Sequence, residues 1–242
     1  MALHKMNSIV NANESFLGRD DTLSYIANFT NMNLLNTSLY ETRLYAAAIE
    51  VIRAQIRMCA KKNLIPESIS NIVASALSNI LNDINDGCIN ICDGASDIYQ
   101  SIFALLGRQI PEHMHYLFLA YSPIEHRATA LRLWLRDAID NLDKVIQSTQ
   151  TVLIEKAEQS LKTIIPSYCH GQTAQPTSLG YIIMSYVFMI GRDRSRLEEL
   201  RKRVNRSPAG AYMGVGTSIE INRRALAAAS DSMESSTMLW MP

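Results

Sequence analysis

Residues 125–164 contain neither proline nor glycine, and their apolar positions repeat every three and four residues. Leu131, Leu135, Ala138, Leu142, Val145, Thr149 and Val152 mark this seam over three heptads. Such a pattern predicts one continuous helix whose apolar stripe must meet other helices. At 1.5 Å per residue it would be roughly 55–60 Å long, more than a globule of this size needs for its own core. The seam therefore implies association with further long helices, from this chain or from partners.

The remaining segments read as helical too. Glycine (10) and proline (7) are sparse among 242 residues. Residues 1–20 lack periodicity and read as a flexible N-terminal arm. A helix is expected over 38–63, with Leu44, Ala48, Val51, Ile52, Ile56 and Cys59 on one stripe and Asn63 ending it. Pro66 suits the first turn of a second helix that runs to about 84 on Ile69, Val73, Ala76, Leu77 and Ile80. Asn85-Asp86-Gly87 breaks it, and a shorter helix over 96–106 is expected to stop at Gly107. After a tight connection at 169–176, Thr177 or Ser178 can cap a second long helix to about 204. Its first half (Ile182, Ile183, Met184, Val187, Phe188, Met189, Ile190) is apolar nearly all round, which predicts deep burial. A short helix over 218–230 follows the loop 210–216. The division expected is an arm (1–20), a helical N-terminal domain (21–112) and a partial central bundle of long helices (113–242).

Composition excludes several function classes. Lys plus Arg (23) equals Asp plus Glu (23), so no net field favours nucleic acid or an anionic membrane. The run 192–203 alternates opposite charges without aromatics and reads as a solvated helix face rather than an RNA surface. The first five residues open no apolar signal segment, and the apolar stretch 181–190 is too short to span a bilayer. Cys59, Cys88, Cys92 and Cys169 form no paired framework, which points to a reducing, cytoplasmic setting. Cys88 and Cys92 near Asp86 and Asp93 lack further ligands at zinc spacing, and the His113-x-His115 pair lacks partners in register, so no metal or cofactor is expected. The Gly214-x-Gly216 pair follows a helix, not a strand, against a dinucleotide fingerprint.

The polar chemistry is concentrated at the connection, Pro166-Ser167-Tyr168-Cys169-His170-Gly171-Gln172-Thr173-Ala174-Gln175-Pro176. By spacing alone, His170 reads either as a reactive group or as a tie between backbone segments, and Cys169 beside it as a nucleophilic pair only if the two side chains converge.

This connection combines with Arg132-Leu133-Trp134-Leu135-Arg136-Asp137 ahead of it and Arg192-Asp193-Arg194-Ser195-Arg196-Leu197 after it. Pro208-Ala209-Gly210-Ala211 and Ile221-Asn222-Arg223 complete the set. In this order the blocks resemble the aspartase/fumarase superfamily, and argininosuccinate lyase most closely. The resemblance implies an all-α fold: a small N-terminal helical domain followed by long helices of an incomplete fumarase/aspartase-type central bundle. It also implies active sites where three subunits of a tetramer meet, and a β-elimination that releases fumarate. That chemistry needs a base for a carbon-bound proton, donors for a dianionic intermediate, and an acid for the leaving nitrogen. By position, His170 matches the histidine that assists proton transfer, and Gln172 and Gln175 match positioning amides.

The sequence also departs from the family. Cys169 replaces a threonine, and a thiol is a weak donor to carboxylate. Tyr99 stands where the family has a second histidine. The family's GRSRNDQ loop corresponds to 120–126, where only Ser122 is identical and Glu125 takes the aspartate's place; His126 and Arg127 are the nearby alternatives to the lost arginine. The tail 233–238 reads as an NSMDxxS-type stretch, and the serine-bearing GSSxMPxKxN loop does not occur in the sequence. Three readings follow. The chain acts with a C-terminal lyase fragment as one subunit of a split C–N lyase on a small dicarboxylate-type substrate. Alternatively, it is a non-catalytic, lyase-derived binding or regulatory subunit. In the third reading it is a self-sufficient enzyme. The first two require a homo- or hetero-oligomer built through the long helices.

Overall fold

The computed structural model describes residues 42–89, 97–212, 216–229 and 234–235. The expected arm, the start of the first helix, Cys92 and most of the tail lie outside these residues. A 3-10 turn (Thr42–Leu44) leads into α1 (Tyr45–Lys61), which is followed by α2 (Glu67–Asn85) and α3 (Ile98–Gln109). A 3-10 turn (Pro111–His113) and the short α4 (Met114–Leu117) precede α5 (Pro123–Gln159). Strands β1 (Ile164–Cys169) and β2 (Gln172–Ser178) then lead into α6 (Leu179–Val204). The described residues end with β3 (Arg206–Ser207), α7 (Arg223–Ala229) and β4 (Glu234–Ser235). The fold is all-α with one β-hairpin set between its two long helices.

Local chemistry explains most boundaries. Asn63 terminates α1 in the left-handed region (φ 57). Leu64 N–H then reaches Cys59 O and Asn63 N–H reaches Ala60 O, both at 2.9 Å, the double closure of a Schellman motif. Asp97 caps α3 by accepting from Gln100 N–H at 2.9 Å, and Ser178 caps α6 by accepting from Tyr181 N–H at 3.1 Å. Helix α3 runs through Gly107 to Gln109 instead of stopping there. Glycine costs only about 1 kcal/mol in a helix interior, and tertiary contact outweighs it.

The core is built from α1, α2 and α3 together with the start of α5. Ile49, Ile52 and Ile56 of α1, Val73, Leu77 and Ile80 of α2, and Ile102 and Leu106 of α3 are buried. Ala130 and Leu133 of α5 join them, as do Ala209 and Leu226 from near the end of the chain. The core therefore draws on residues from both sides of position 112.

Beyond this core α5 and α6 run as an antiparallel pair. Asp140 takes both Arg201 Nε and Nη2 (2.8 and 3.0 Å). Asp143 takes Arg194 Nε and Nη2 (2.6 and 3.2 Å), and Gln150 Nε2 donates to Val187 O at 3.2 Å. Sequence numbers rise on one helix as they fall on the other, which fixes the register. On α5 the inward positions are Asp143, Ile146, Gln150, Leu153 and Ala157, again spaced three and four. The predicted seam lies beside this one: Leu131, Leu142, Val145 and Val152 are exposed. So α5 carries two stripes, one filled by α6 and one unfilled.

Three expectations are corrected here. Helix α5 ends at Gln159, not at 164, because α6 begins against it. Leu179 N–H bonds Thr163 O (2.9 Å) and Gly180 N–H bonds Ser160 O (3.3 Å), which diverts residues 160–163 into a turn. The first half of α6 is not deeply buried within this chain: Tyr181, Tyr186, Phe188 and Met189 are exposed, and only Gly180 and Val187 are covered. The final helix begins at Arg223, with Asn222 Oδ1 accepting from Ala225 N–H at 3.0 Å.

Candidate active site

The connection expected to be a tight loop is a β-hairpin. Strands β1 and β2 pair antiparallel, Ile164 opposite Ser178 and Cys169 opposite Gln172. Their two-residue turn is His170-Gly171, both at positive φ (51° and 76°). Two left-handed residues in succession match the right-handed twist of the flanking strands, which is why such turns favour glycine at one position and tolerate a polar residue at the other. Pro166 lies opposite Pro176, and the register slips between Pro166 and Tyr168; Ser167 Oγ bridges the slip to Gln175 O at 2.6 Å. Neither proline can donate to a ladder, which weakens pairing at that point of each strand.

This hairpin gathers four of the five predicted site residues. His170 sits at the tip with Cys169 and Gln172 flanking it, and Gln175 lies further along β2; all four are exposed. The rigid rods α5 and α6 carry them away from the core. The tip offers an imidazole, a thiol and two carboxamides to whatever approaches the end of the helix pair.

The fifth, Ser122, lies at the opposite end of α5, as its buried N-cap residue. A helix of 37 residues separates the two, roughly 55 Å at the standard rise. The chain does not bring Ser122 and His170 together by itself.

Around Ser122 the structure assembles a buried polar cluster. Gln55, a polar residue on the apolar face of α1, donates through Nε2 to Leu117 O at 3.0 Å and also to Leu119 O. These bonds fix its amide, so Oε1 must accept, and His126 Nε2 donates to it at 2.6 Å. His126 is buried, and burial pushes its pKa down to about 4. The Ser122 carbonyl, 2.8 Å from Nδ1, pulls the other way, and burial wins. Tyr99 and Tyr121 flank the ring at 6.0 and 4.6 Å between centroids. Glu125, also buried, accepts from Gly210 N–H at 2.8 Å. Gly210 holds φ +83, and a Cβ there would stand 2.9 Å from Arg223 Cγ.

The two alternatives to the lost arginine are therefore committed elsewhere. His126 is a neutral ring inside the core, and Arg127 Nη2 pairs with Asp97 Oδ2 at 2.5 Å. Sequence reasoning missed Gln55, and it placed Gly210 in a motif block without a partner. Gln55 was legible in principle, as a polar residue at a core position of α1; its partners, 62 to 71 residues away, were not. Among the described residues no three His, Cys, Asp or Glu side chains converge on a metal position, and no described helix is long and apolar enough to cross a membrane.

Comparison with known proteins bears on the fold. An EDDS lyase with bound fumarate is similar in fold, with TM-score 0.68 and 21% identity over 88% of this chain and 41% of the other. A 3-carboxy-cis,cis-muconate lactonizing enzyme from Pseudomonas putida gives TM-score 0.63 and 21% identity, covering 82% and 46%. A fumarate lyase:delta crystallin from Brucella melitensis gives TM-score 0.67 and 17% identity, covering 91% and 53%. The chain thus spans about half the length of these structures or less. The lyase family profile matches residues 19–240, nearly the whole sequence. With that match and the shared helical fold, the chain belongs to the lyase family of the aspartase/fumarase superfamily.

Proposed function

We propose that this chain works as one subunit of an argininosuccinate lyase-like enzyme that cleaves a C–N bond by β-elimination and releases fumarate. The observation that carries the reading is the division of site residues between the two ends of α5. His170 and Ser122 lie a helix length apart in one chain, so they can act on one substrate only if different copies contribute them. The unfilled stripe on α5 and the exposed aromatics of α6 supply the contact that would bring copies together.

In such a site His170 would help move the proton that leaves the substrate carbon. Gln172 and Gln175 would hold or brace the dicarboxylate through their amides. Cys169 offers only a weak donor where a hydroxyl would bind carboxylate more strongly. Ser122 from another copy would border the same substrate. The serine-bearing loop that the resemblance requires would come from a further segment, on the same polypeptide or on a separate lyase fragment. The unpaired thiols of Cys59, Cys88 and Cys169 support a cytoplasmic setting.

A second reading has one specific observation behind it. Residues 120–127 present no free cation, since His126 is neutral and Arg127 is paired with Asp97, and this favours a subunit that binds a dicarboxylate or modulates a relative without turnover. One experiment separates the two. The chain is co-expressed with a C-terminal lyase fragment carrying a GSSxMPxKxN-type loop, and fumarate release from argininosuccinate is followed by absorbance. Release that His170→Ala abolishes supports the lyase reading. A stable complex that binds succinate without releasing fumarate overturns it and supports the second.

A further inference from the structure

Ser122 stands at the end of a relay of buried hydrogen bonds that starts on α1. Gln55, 1% exposed, holds the carbonyls of Leu117 and Leu119 through its Nε2. Its Oε1 accepts from His126 Nε2 at 2.6 Å. With that proton on Nε2, the neutral ring keeps a lone pair on Nδ1, and the Ser122 backbone N–H points at it from 3.4 Å. The N–H groups at a helix start lack partners within the helix. A side chain one turn on can return to the first of them, as the acid of a capping box does, and His126 has that place on α5. Tyr99 and Tyr121 flank the ring at interplanar angles of 81° and 60° and limit its rotation.

The turn that these bonds hold is strained. Ala120, between Leu119 and Tyr121, has φ 58, a left-handed conformation that a Cβ disfavours and that persists where the surroundings impose it. Gln55 supplies that constraint, gripping the carbonyl directly ahead of Ala120 and a second one two residues earlier. The strain leads straight into Ser122. Its hydroxyl makes no capping bond to α5, so the relay closes the helix start from the other side.

We infer that Gln55 and His126 are positioning residues, which together set where Ser122 presents its hydroxyl to a substrate carboxylate. Both are buried, so neither meets substrate, and each acts only through Ser122. Gln55 fixes the strained turn ahead of it, and His126 fixes its backbone. The inference rests on the lyase reading and deepens it, because it assigns the alignment of one substrate-binding group to two side chains on different helices.

The assembly with a C-terminal lyase fragment, assayed by fumarate release from argininosuccinate, tests it. Gln55→Met and His126→Leu should each raise KM about tenfold, the scale of a lost hydrogen bond to a charged group, with kcat changed less than about twofold. His126→Gln keeps a donor for Gln55 and an acceptor for the Ser122 N–H, and should hold KM near the parent value. In a Ser122→Ala background, where the hydroxyl is gone, Gln55→Met should raise KM no further. A change that merely loosened the fold would add to Ser122→Ala instead. Circular dichroism and thermal unfolding check each fold, and loss of fold in both Gln55→Met and His126→Leu makes the relay a structural tie and overturns the inference. An unmodified assembly that releases no fumarate defeats the lyase reading on which the inference stands. Parent turnover with unchanged KM in Gln55→Met, or with equal increases in both backgrounds, overturns the inference alone.

Discussion

His126 and His170 illustrate how surroundings decide what one side chain can do. His126 is enclosed by Gln55, Ser122, Tyr99 and Tyr121, with Glu125 and Arg127 beside it on α5, and its pKa falls to about 4 from the usual 6.5. The folded state therefore holds the ring neutral while the unfolded chain protonates it below pH 6.5. Stability from this group is complete above pH 6.5 and is lost as pH falls toward 4, a change of up to about 3 kcal/mol. Urea unfolding at pH 7 and pH 5 should show the drop. His126→Ala should remove most of this pH dependence and cost about 2–4 kcal/mol at pH 7, since it leaves Gln55 Oε1 without its donor. His170, by contrast, is exposed at φ 51, where glycine is at least as comfortable as histidine. His170→Gly should change stability by no more than about 1 kcal/mol in thermal unfolding, while abolishing the fumarate release proposed for the assembly. A hairpin that unfolded on this change would show that His170 is a structural tie instead. The residue types in the hairpin were readable from sequence. The cluster around Gln55 was not, because its partners meet only across the folded core.

At the scale of elements, the junction between α5 and α6 holds the hairpin at a fixed angle. Gly180 is the tight point: a Cβ there would come 2.7 Å from the Ala157 carbonyl oxygen, and backbone cannot yield as a flexible side chain can. Gly180→Ala should cost about 2–3 kcal/mol, the usual scale for overpacking, and lower the thermal midpoint. Further along, Asp143 and Arg194 hold each other charged: the guanidinium keeps the carboxyl below its usual range, and the carboxylate raises the arginine. Both groups are half-buried and still reached by water, so the pair sets register more than stability. Periodicity predicted both long helices, and of the two caps the sequence offered for α6, Thr177 or Ser178, it is Ser178 that serves. It missed the end of α5 because nothing in residues 160–164 forbids helix; the approach of Gly180 ends it. The hairpin went unread as well, since a His-Gly turn between prolines resembles any loop until its strands are seen to pair.

For the whole molecule, the unfilled stripe decides behaviour in solution. Val145 is 60% exposed and Phe188 65%, and together with Leu142, Val152 and Tyr181 they leave an apolar surface of the kind that marks association. Light scattering should find an oligomer, and a Val145→Glu/Phe188→Glu double variant should dissociate it while helical circular dichroism is retained. A monomeric parent chain with an unaltered spectrum would remove the basis for sites shared between copies. Heptad spacing and the ordered motif blocks determined, from sequence alone, that the chain is all-α and that it carries two long helices. Those are local or periodic properties, and a linear pattern encodes them directly. Only the tertiary structure decided which stripe of α5 meets α6, that His126 is sealed away as a neutral ring, and that Ser122 and His170 lie at opposite ends of one rod. Each of these depends on contacts between residues distant in sequence, and burial and direction in space exist only once those contacts have formed.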